Sequence, residues 1–174
     1  MALAVCLLFD PPGERLVRQL WARLEAMGVR TLQTHTHRRH RPHLSLSVAR
    51  SWDLPRVLEA MDALPAGEPM LLSFPGMLAF TRGRAALAAG VSADLARRQQ
   101  AVAEAIAGCG ADVHHHYEPG RWLPHVSLAT GGSADQLPVI GNVINDALPL
   151  TVRVGSAALI DSSTGQSWPL SRLL

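Results

Sequence analysis

Two short stretches of the chain read almost the same, Arg41-Pro42-His43-Leu44-Ser45-Leu46 and Leu123-Pro124-His125-Val126-Ser127-Leu128, each with proline, histidine, an aliphatic residue, serine and leucine. Polar and apolar positions alternate in both with the period of a β-strand. Successive side chains of a strand point to opposite faces, so His43, Ser45 and Ser47 are expected on one face and Leu44, Leu46 and Val48 on the other. His125 and Ser127 share a face in the same way, opposed by Val126 and Leu128. One His-x-Ser has little meaning, since about one His-x-Ser/Thr arises by chance in a chain this rich in those residues. Two copies with matching flanks are far more specific.

Residues two apart on a strand are about 6.5 Å apart along it, so His and Ser on one face can touch the same tetrahedral anion from adjacent directions. Two such pairs can enclose a phosphate. Histidine titrates near pH 6.5, so one imidazole of a pair can be neutral while the other is protonated. The neutral one is suited to act as general base on water or a ribose hydroxyl, and the protonated one as general acid on the leaving oxygen. The hydroxyls of Ser45 and Ser127 would donate to non-bridging oxygens and stabilise the charge of the transition state. This chemistry requires no metal and no cofactor. In-line opening of a 2′,3′-cyclic phosphate, or 2′-5′ linkage by its reversal, needs acid and base on opposite sides of phosphorus.

The elements that must hold these residues can be read in order. Residues 2–9 form an apolar first strand, and Asp10 with two prolines marks the entry to a helix over 14–27, whose stripe is Leu16, Val17, Leu20, Trp21, Leu24 and Met27. A basic, His-rich connection over 29–41 leads to the first motif strand at 42–48. Asp53 caps a helix to about residue 64 with Leu54, Val57, Leu58 and Met61 inward. Residues 70–80, interrupted by Pro75-Gly76, read as a broken strand, and Thr81-Arg82-Gly83 as a turn. The second half repeats the order: strand 84–91, helix from Ser92 to about 107, motif strand, helix to about 147, strand 150–160. Ser133 with Gln136 has the pattern of a capping box for the last helix. Residues 167–173 supply a final strand after the Ser163-Thr164-Gly165 turn.

His43 and His125 lie 82 residues apart, and the same offset carries Ala2 to Arg84, Ser51 to Ser133 and Met70 to Val152. Identity outside the motifs is low, so the repeat is one of element order. One domain over 1–174 is expected, made of two lobes with repeats at about 1–82 and 83–174. A pseudo-two-fold axis between them would face His43 and His125 across one groove.

Composition narrows the partners. With 174 residues and 48% hydrophobic residues the chain can bury a sizeable core, and a monomer is expected. A net charge of +2 is too small for bulk nucleic-acid binding, although the segment between Met27 and Trp52 has Arg30, Arg38, Arg39, Arg41 and Arg50 and no acidic residue. All sixteen basic residues are arginine, which suits bidentate phosphate recognition but also follows from genomic composition. Cys6 and Cys109 form no disulfide framework, in keeping with a cytoplasmic protein. The apolar opening stretch is too short to span a bilayer and has no basic leader, so no membrane association is expected.

The paired Pro-His-aliphatic-Ser-Leu motifs, the repeat, Phe74-Pro75-Gly76 before a strand pair, and Arg121-Trp122-Leu123-Pro124-His125 together resemble the two-histidine phosphoesterase superfamily. The closest branch is the 2′-5′ RNA ligase-like, or cyclic phosphodiesterase, one. The resemblance implies a bilobal α+β fold, two antiparallel sheets around a central cleft with helices outside. It implies His43 and His125 as the catalytic pair and Ser45 and Ser127 as phosphate-binding hydroxyls, where the family commonly has Thr. The implied partner is an RNA end or a small cyclic nucleotide.

Beside the motifs, Arg41 and Arg121 can pair with a second phosphate, and Trp122 or Tyr117 can stack on a base. Ordinary packing accounts equally well for Trp122, and a solvated turn for Arg82 and Arg84. His35, His37 and the run His114, His115, His116 invite a metal reading, but no Cys or carboxylate completes an ordered ligand set, and no metal is assigned. Two other functions fit the same sequence: a non-catalytic nucleotide- or RNA-binding module of this fold, and a His-rich metal-dependent hydrolase.

Overall fold

The structure, a computed structural model, describes residues 2–173. Strand β1 (Leu3–Phe9) is apolar on both faces and buried throughout, as a central strand covered on two sides must be. Asp10 caps α1 (Pro11–Ala26), its carboxylate accepting the Gly13 N–H at 2.9 Å. Val17, Leu20, Trp21 and Leu24 form the buried stripe of α1. Leu16 and Met27, expected in that stripe, are 41% and 56% exposed: Leu16 lies at its margin and Met27 beyond the last helical residue.

Next come β2 (His43–Ser51) and α2 (Leu54–Asp62), the latter capped by Asp53. Pro75 divides the broken strand into β3 (Leu71–Phe74) and β4 (Gly76–Phe80). A turn leads to β5 (Arg84–Ala88), and Ser92 caps α3 (Ala93–Gly108) by accepting the Leu95 N–H at 3.1 Å. The two-residue β6 (Asp112–Val113) precedes a 3-10 turn at His115–Tyr117 and then β7 (His125–Ala129). The Ser133 capping box does not form. Residues Ala134–Gln136 make a 3-10 turn, Gln136 reaches instead to the Gly28 carbonyl at 3.1 Å, and α4 (Leu137–Asn145) starts at the Leu137-Pro138 step. Proline fits the first turn of a helix, where its missing N–H leaves no bond unmade. The chain closes with β8 (Leu150–Asp161), β9 (Ser167–Pro169) and a 3-10 turn at Ser171–Leu173, so the strand expected over 167–173 is cut short at Pro169. No helix among the described residues is long and apolar enough to cross a membrane.

The strands form two antiparallel sheets, one in the order β3-β8-β1-β2-β6 with β9 beside β8, the other β4-β5-β7. Helices lie around them, giving an α+β fold. In each half of the chain the strand before the long helix pairs with the motif strand, β1 with β2 and β5 with β7. The strands flanking these pairs are traded between halves of the chain, while β3 stays in the sheet of β1, beyond β8. β4, from the first half, pairs with β5, while β8, from the second, pairs with β1. The other edges follow suit: β6 flanks β2, and Thr31 bridges to Ala129 at the edge of β7. Helix packing crosses over too, since α1 lies against β7 and α4, and α3 against β2 and α2.

The helices α1 and α3 begin and end 82 residues apart, at Pro11 and Ala93 and at Ala26 and Gly108. The motif strands share a finer feature. Val5 and Cys6 pair with Ser47 and Ser45, leaving Leu46 as the extra residue of a β-bulge; Ala85 and Ala86 pair with Ala129 and Ser127, leaving Leu128 as the extra one. Alternation therefore stops at the motif serines. Ser47, expected beside Ser45, is 1% exposed with its hydroxyl unpartnered among the described residues, and Val48 faces the cleft instead.

Gly83, in the turn joining β4 to β5, has φ +63°, and a Cβ there would stand 2.7 Å from the Ser133 carbonyl oxygen. Gly83→Ala is expected to cost about 1–3 kcal/mol, from left-handed strain and displacement of backbone. Urea denaturation checks this; a loss under about 0.5 kcal/mol would show that the turn relaxes freely.

Candidate active site

His43 opens β2 and His125 opens β7, strands in different sheets that lie against each other. Each histidine is held in the same way. His43 Nδ1 is 2.7 Å from the Arg41 carbonyl oxygen, and His125 Nδ1 is 2.7 Å from the Leu123 carbonyl oxygen. A carbonyl only accepts, so each Nδ1 carries the proton and each neutral ring keeps a free lone pair on Nε2. The prolines at 42 and 124 fix the backbone between carbonyl and imidazole.

Both imidazoles are half-buried. Burial lowers the pKa of His43, and the neighbouring His125 lowers it further, against the opposing pull of the Arg41 carbonyl. Burial also lowers that of His125, against the Leu123 carbonyl. The two rings are thus close enough for charge on one to disfavour charge on the other. At neutral pH the free protein holds both neutral, rather than one of each form. An anionic phosphate bound beside them supplies the countercharge that lets one take up a proton.

The motif serines differ. Ser127 lines an open cavity of about 580 Å³, together with His125, Phe80, Arg84, Arg121, Trp122 and Tyr117. Ser45 belongs to an inner network: its hydroxyl lies 3.8 Å from the Cys6 thiol and hydrogen-bonds the Tyr117 side chain. Burial pushes Cys6 up to about 12 and Tyr117 up to about 12, so both stay protonated. Their backbones are tied down by indoles. Trp122 Nε1 donates to the Ser45 carbonyl at 3.0 Å, and Trp21 Nε1, from α1, donates to the Ser127 carbonyl at 3.0 Å. Gln99 of α3 donates to the carbonyls of Leu46 (3.3 Å) and Tyr117 (2.9 Å), holding the first bulge against the cavity wall.

Among the described residues the cavity lining has four histidines (His35, His114, His116 and His125), two arginines and no carboxylate. Such a surface favours an anion. Phe80 packs on His125 with ring centroids 5.4 Å apart, giving that imidazole an apolar wall. His43 faces a smaller recess of about 50 Å³ with His37, His40, Arg39 and Gly165. Burial, and then the neighbouring histidines 37, 43 and 35, bring His40 down to about 4.

Of the residues expected around the motifs, Arg121, Trp122 and Tyr117 reach the cavity. Trp122 and Tyr117 do so with their polar atoms already bonded to Ser45. Arg121 is 3.7 Å from Glu118 and exposed. Arg41 turns the other way. Its guanidinium pairs with Glu14 at 3.0 Å, in a separate hollow of about 670 Å³ formed with α1 that neither motif histidine lines, while the residue also borders the small recess at His43 and its carbonyl holds that ring. Sequence reading missed Trp21, Gln99, Phe80, Arg84 and Cys6. Arg84 and Ala86 alternate on β5 beside β7, and that period of two was the signal available for Arg84.

A family model described as the 2′-5′ RNA ligase superfamily matches residues 11–166. Among solved structures, the chain is similar to Escherichia coli LigT complexed with NADP+, with a TM-score of 0.63 and 12% identity over 97% of this chain and 93% of that one. It is similar to a protein described as a phosphoesterase (TM-score 0.61, 12% identity, 96% of this chain and 92% of that one). Kluyveromyces marxianus Usb1 follows, with a TM-score of 0.53 and 16% identity over 98% of this chain and 96% of that one, and is also known with uridine monophosphate bound. At these identities the likeness is one of fold. Comparison with curated protein sequences finds no significant match.

Proposed function

Because the chain belongs to the 2′-5′ RNA ligase superfamily of two-histidine phosphoesterases, we propose that it is a metal-independent phosphodiesterase opening 2′,3′-cyclic phosphates, at RNA ends or on small cyclic nucleotides, by histidine acid–base catalysis. The observation that carries the reading is the matched pair of Nδ1-to-carbonyl hydrogen bonds, which leaves two equivalent Nε2 atoms free on facing strands.

In the proposed reaction a cyclic phosphate, carrying one negative charge, binds between the motif strands. Its charge raises both depressed imidazole pKa values, and one ring takes up a proton. The neutral ring removes a proton from water as the water oxygen bonds to phosphorus. The bond from phosphorus to one ribose oxygen breaks on the far side, and that oxygen takes the proton of the imidazolium. The Ser127 hydroxyl donates to a non-bridging oxygen, and Ser45, backed by Tyr117, does the same from the other strand. With the 5′-hydroxyl of a second strand in place of water, the same steps form a 2′-5′ linkage when the bond to the 3′-oxygen is the one that breaks.

The test is a panel of 2′,3′-cyclic nucleotides and a cyclic-phosphate-ended oligonucleotide, assayed with EDTA and followed by phosphorus NMR. Turnover to a single regioisomeric monophosphate, unchanged by the chelator, is expected. No turnover of any cyclic phosphate, or turnover abolished by EDTA, would reject the reading.

A further inference from the structure

The run His114, His115, His116 has no part in the proposed phosphoryl chemistry, yet the fold gathers its rings. The ligand nitrogens of the three all lie within 4.8 Å of one another, and the ring centroids are 4.7, 5.0 and 3.9 Å apart. Consecutive side chains of a 3-10 turn diverge by about 120°, less than the opposite faces of an extended chain, and the ring rotamers close the remaining gap. Within the described residues, His114 Nδ1 accepts only the His116 N–H, at 3.3 Å, and the rings of His115 and His116 are exposed. His115 and His116 therefore each offer a lone pair, and His114 offers one by giving up that long hydrogen bond.

We propose that His114, His115 and His116 form a binding site for one late first-row divalent cation of the zinc class, at the rim of the cavity that His125 and Ser127 line. Imidazole suits zinc, copper and nickel, whereas magnesium and calcium call for oxygen. Three imidazole nitrogens at about 2.0–2.1 Å from a tetrahedral zinc stand about 3.4 Å from one another. The present spread of 4.8 Å closes to that by side-chain rotation, so the backbone can stay where it is.

That backbone is fixed in advance. The His114 N–H donates to the Val48 carbonyl at 2.7 Å, the Tyr117 N–H donates to the His114 carbonyl at 2.8 Å, and Gln99 holds the Tyr117 carbonyl. A turn already pinned to the first motif strand and to α3 loses little entropy when a cation closes its rings. Three protein ligands leave a coordination position for water or an anion. His114 and His116 belong to the cavity wall, so an ion there would neighbour the phosphate path without taking part in acid–base transfer.

Zinc alone is the probe, titrated calorimetrically into tag-free protein, with quenching of tryptophan emission by copper as a parallel readout. One zinc per chain is expected, both in the wild type and in the His43→Ala, His125→Ala double variant. The His114→Asn, His115→Asn, His116→Asn variant should bind about tenfold more weakly or worse. His115→Asn alone, at an exposed ring, should weaken binding without any risk to folding. The proposal is overturned if the wild type takes up no zinc at about 100 μM, if the triple variant binds as the wild type does, or if binding vanishes in the double variant, which would place the ion between the catalytic imidazoles. None of these readouts depends on turnover, so this site and the phosphodiesterase reading fail separately.

Discussion

Replacing either motif histidine, His43→Gln or His125→Gln, is expected to lower kcat/KM for a cyclic phosphate by about 10²- to 10⁴-fold with the chain still folded. Glutamine keeps a polar side chain at each half-buried position but can neither accept the attacking proton nor supply one to the leaving oxygen. The pH profiles separate the roles. Both pKa values are lowered in the free protein, so the imidazolium that serves as acid becomes scarce as pH rises through the region below 6.5. The wild-type kcat/KM should be bell-shaped with its maximum on the acid side of 6.5, and kcat should peak at higher pH, because the bound anion raises both values. Removing the base deletes the acidic limb, and removing the acid deletes the alkaline one. Whichever variant keeps only its rising limb has lost the acid. Two variants of wild-type rate, or a profile unaltered by either, would remove both residues from the mechanism.

The second large effect is expected at Trp21, which no feature of the motifs points to. Its indole is fully buried, and its N–H is bonded to the Ser127 carbonyl. Trp21→Ala should cost about 3–5 kcal/mol through lost packing and the cavity left behind. Trp21→Phe preserves much of the volume but leaves that carbonyl without its donor, for about 1–3 kcal/mol. In the Phe variant Ser127 and the bulge after it lose their tether to α1, so kcat should fall more than KM rises if, as proposed, its hydroxyl faces the phosphate during the reaction. Chemical denaturation of both variants, with kinetics on Trp21→Phe, checks this. A Phe variant of wild-type stability and kcat would show that the indole bond neither stabilises nor positions.

Local signals in the sequence were reliable wherever a local cause governs the structure. Asp53 and Ser92 cap the helices they precede, because capping needs only a side-chain oxygen next to the first turn. Pro75 breaks its strand because it has no N–H to give the ladder. The two His-x-Ser strands, their offset and the two-sheet α+β architecture could be read as well. What escaped depends on distant partners. The basic stretch holding Arg41 contains no acid, and its counter-ion, Glu14, comes from α1. The bulges at Leu46 and Leu128 interrupt no hydrophobic pattern. Simple alternation therefore puts Ser47 on the face of His43 and Ser45, although the extra residue turns it into the core. Leu16 and Met27 matched a helical stripe whose width is set by what α1 packs against, and Ser133 had the letters of a capping box without the helix start they require.

The trading of outer strands bears on how the chain is made and where such an architecture comes from. While the chain emerges from a ribosome, β1 and β2 can pair early, but the far edge of β1 stays open until Leu150–Asp161 has been synthesised. For most of synthesis the first motif strand thus sits in an unfinished sheet, with exposed edges that invite pairing to another chain. One repeat standing alone would face the same deficit permanently. Its simplest remedy is a second copy of itself, each lending the other its outer strands. In that dimer the two motif histidines would come from two subunits, and fusing the genes would have turned an obligate partnership into a linker at Thr81-Arg82-Gly83.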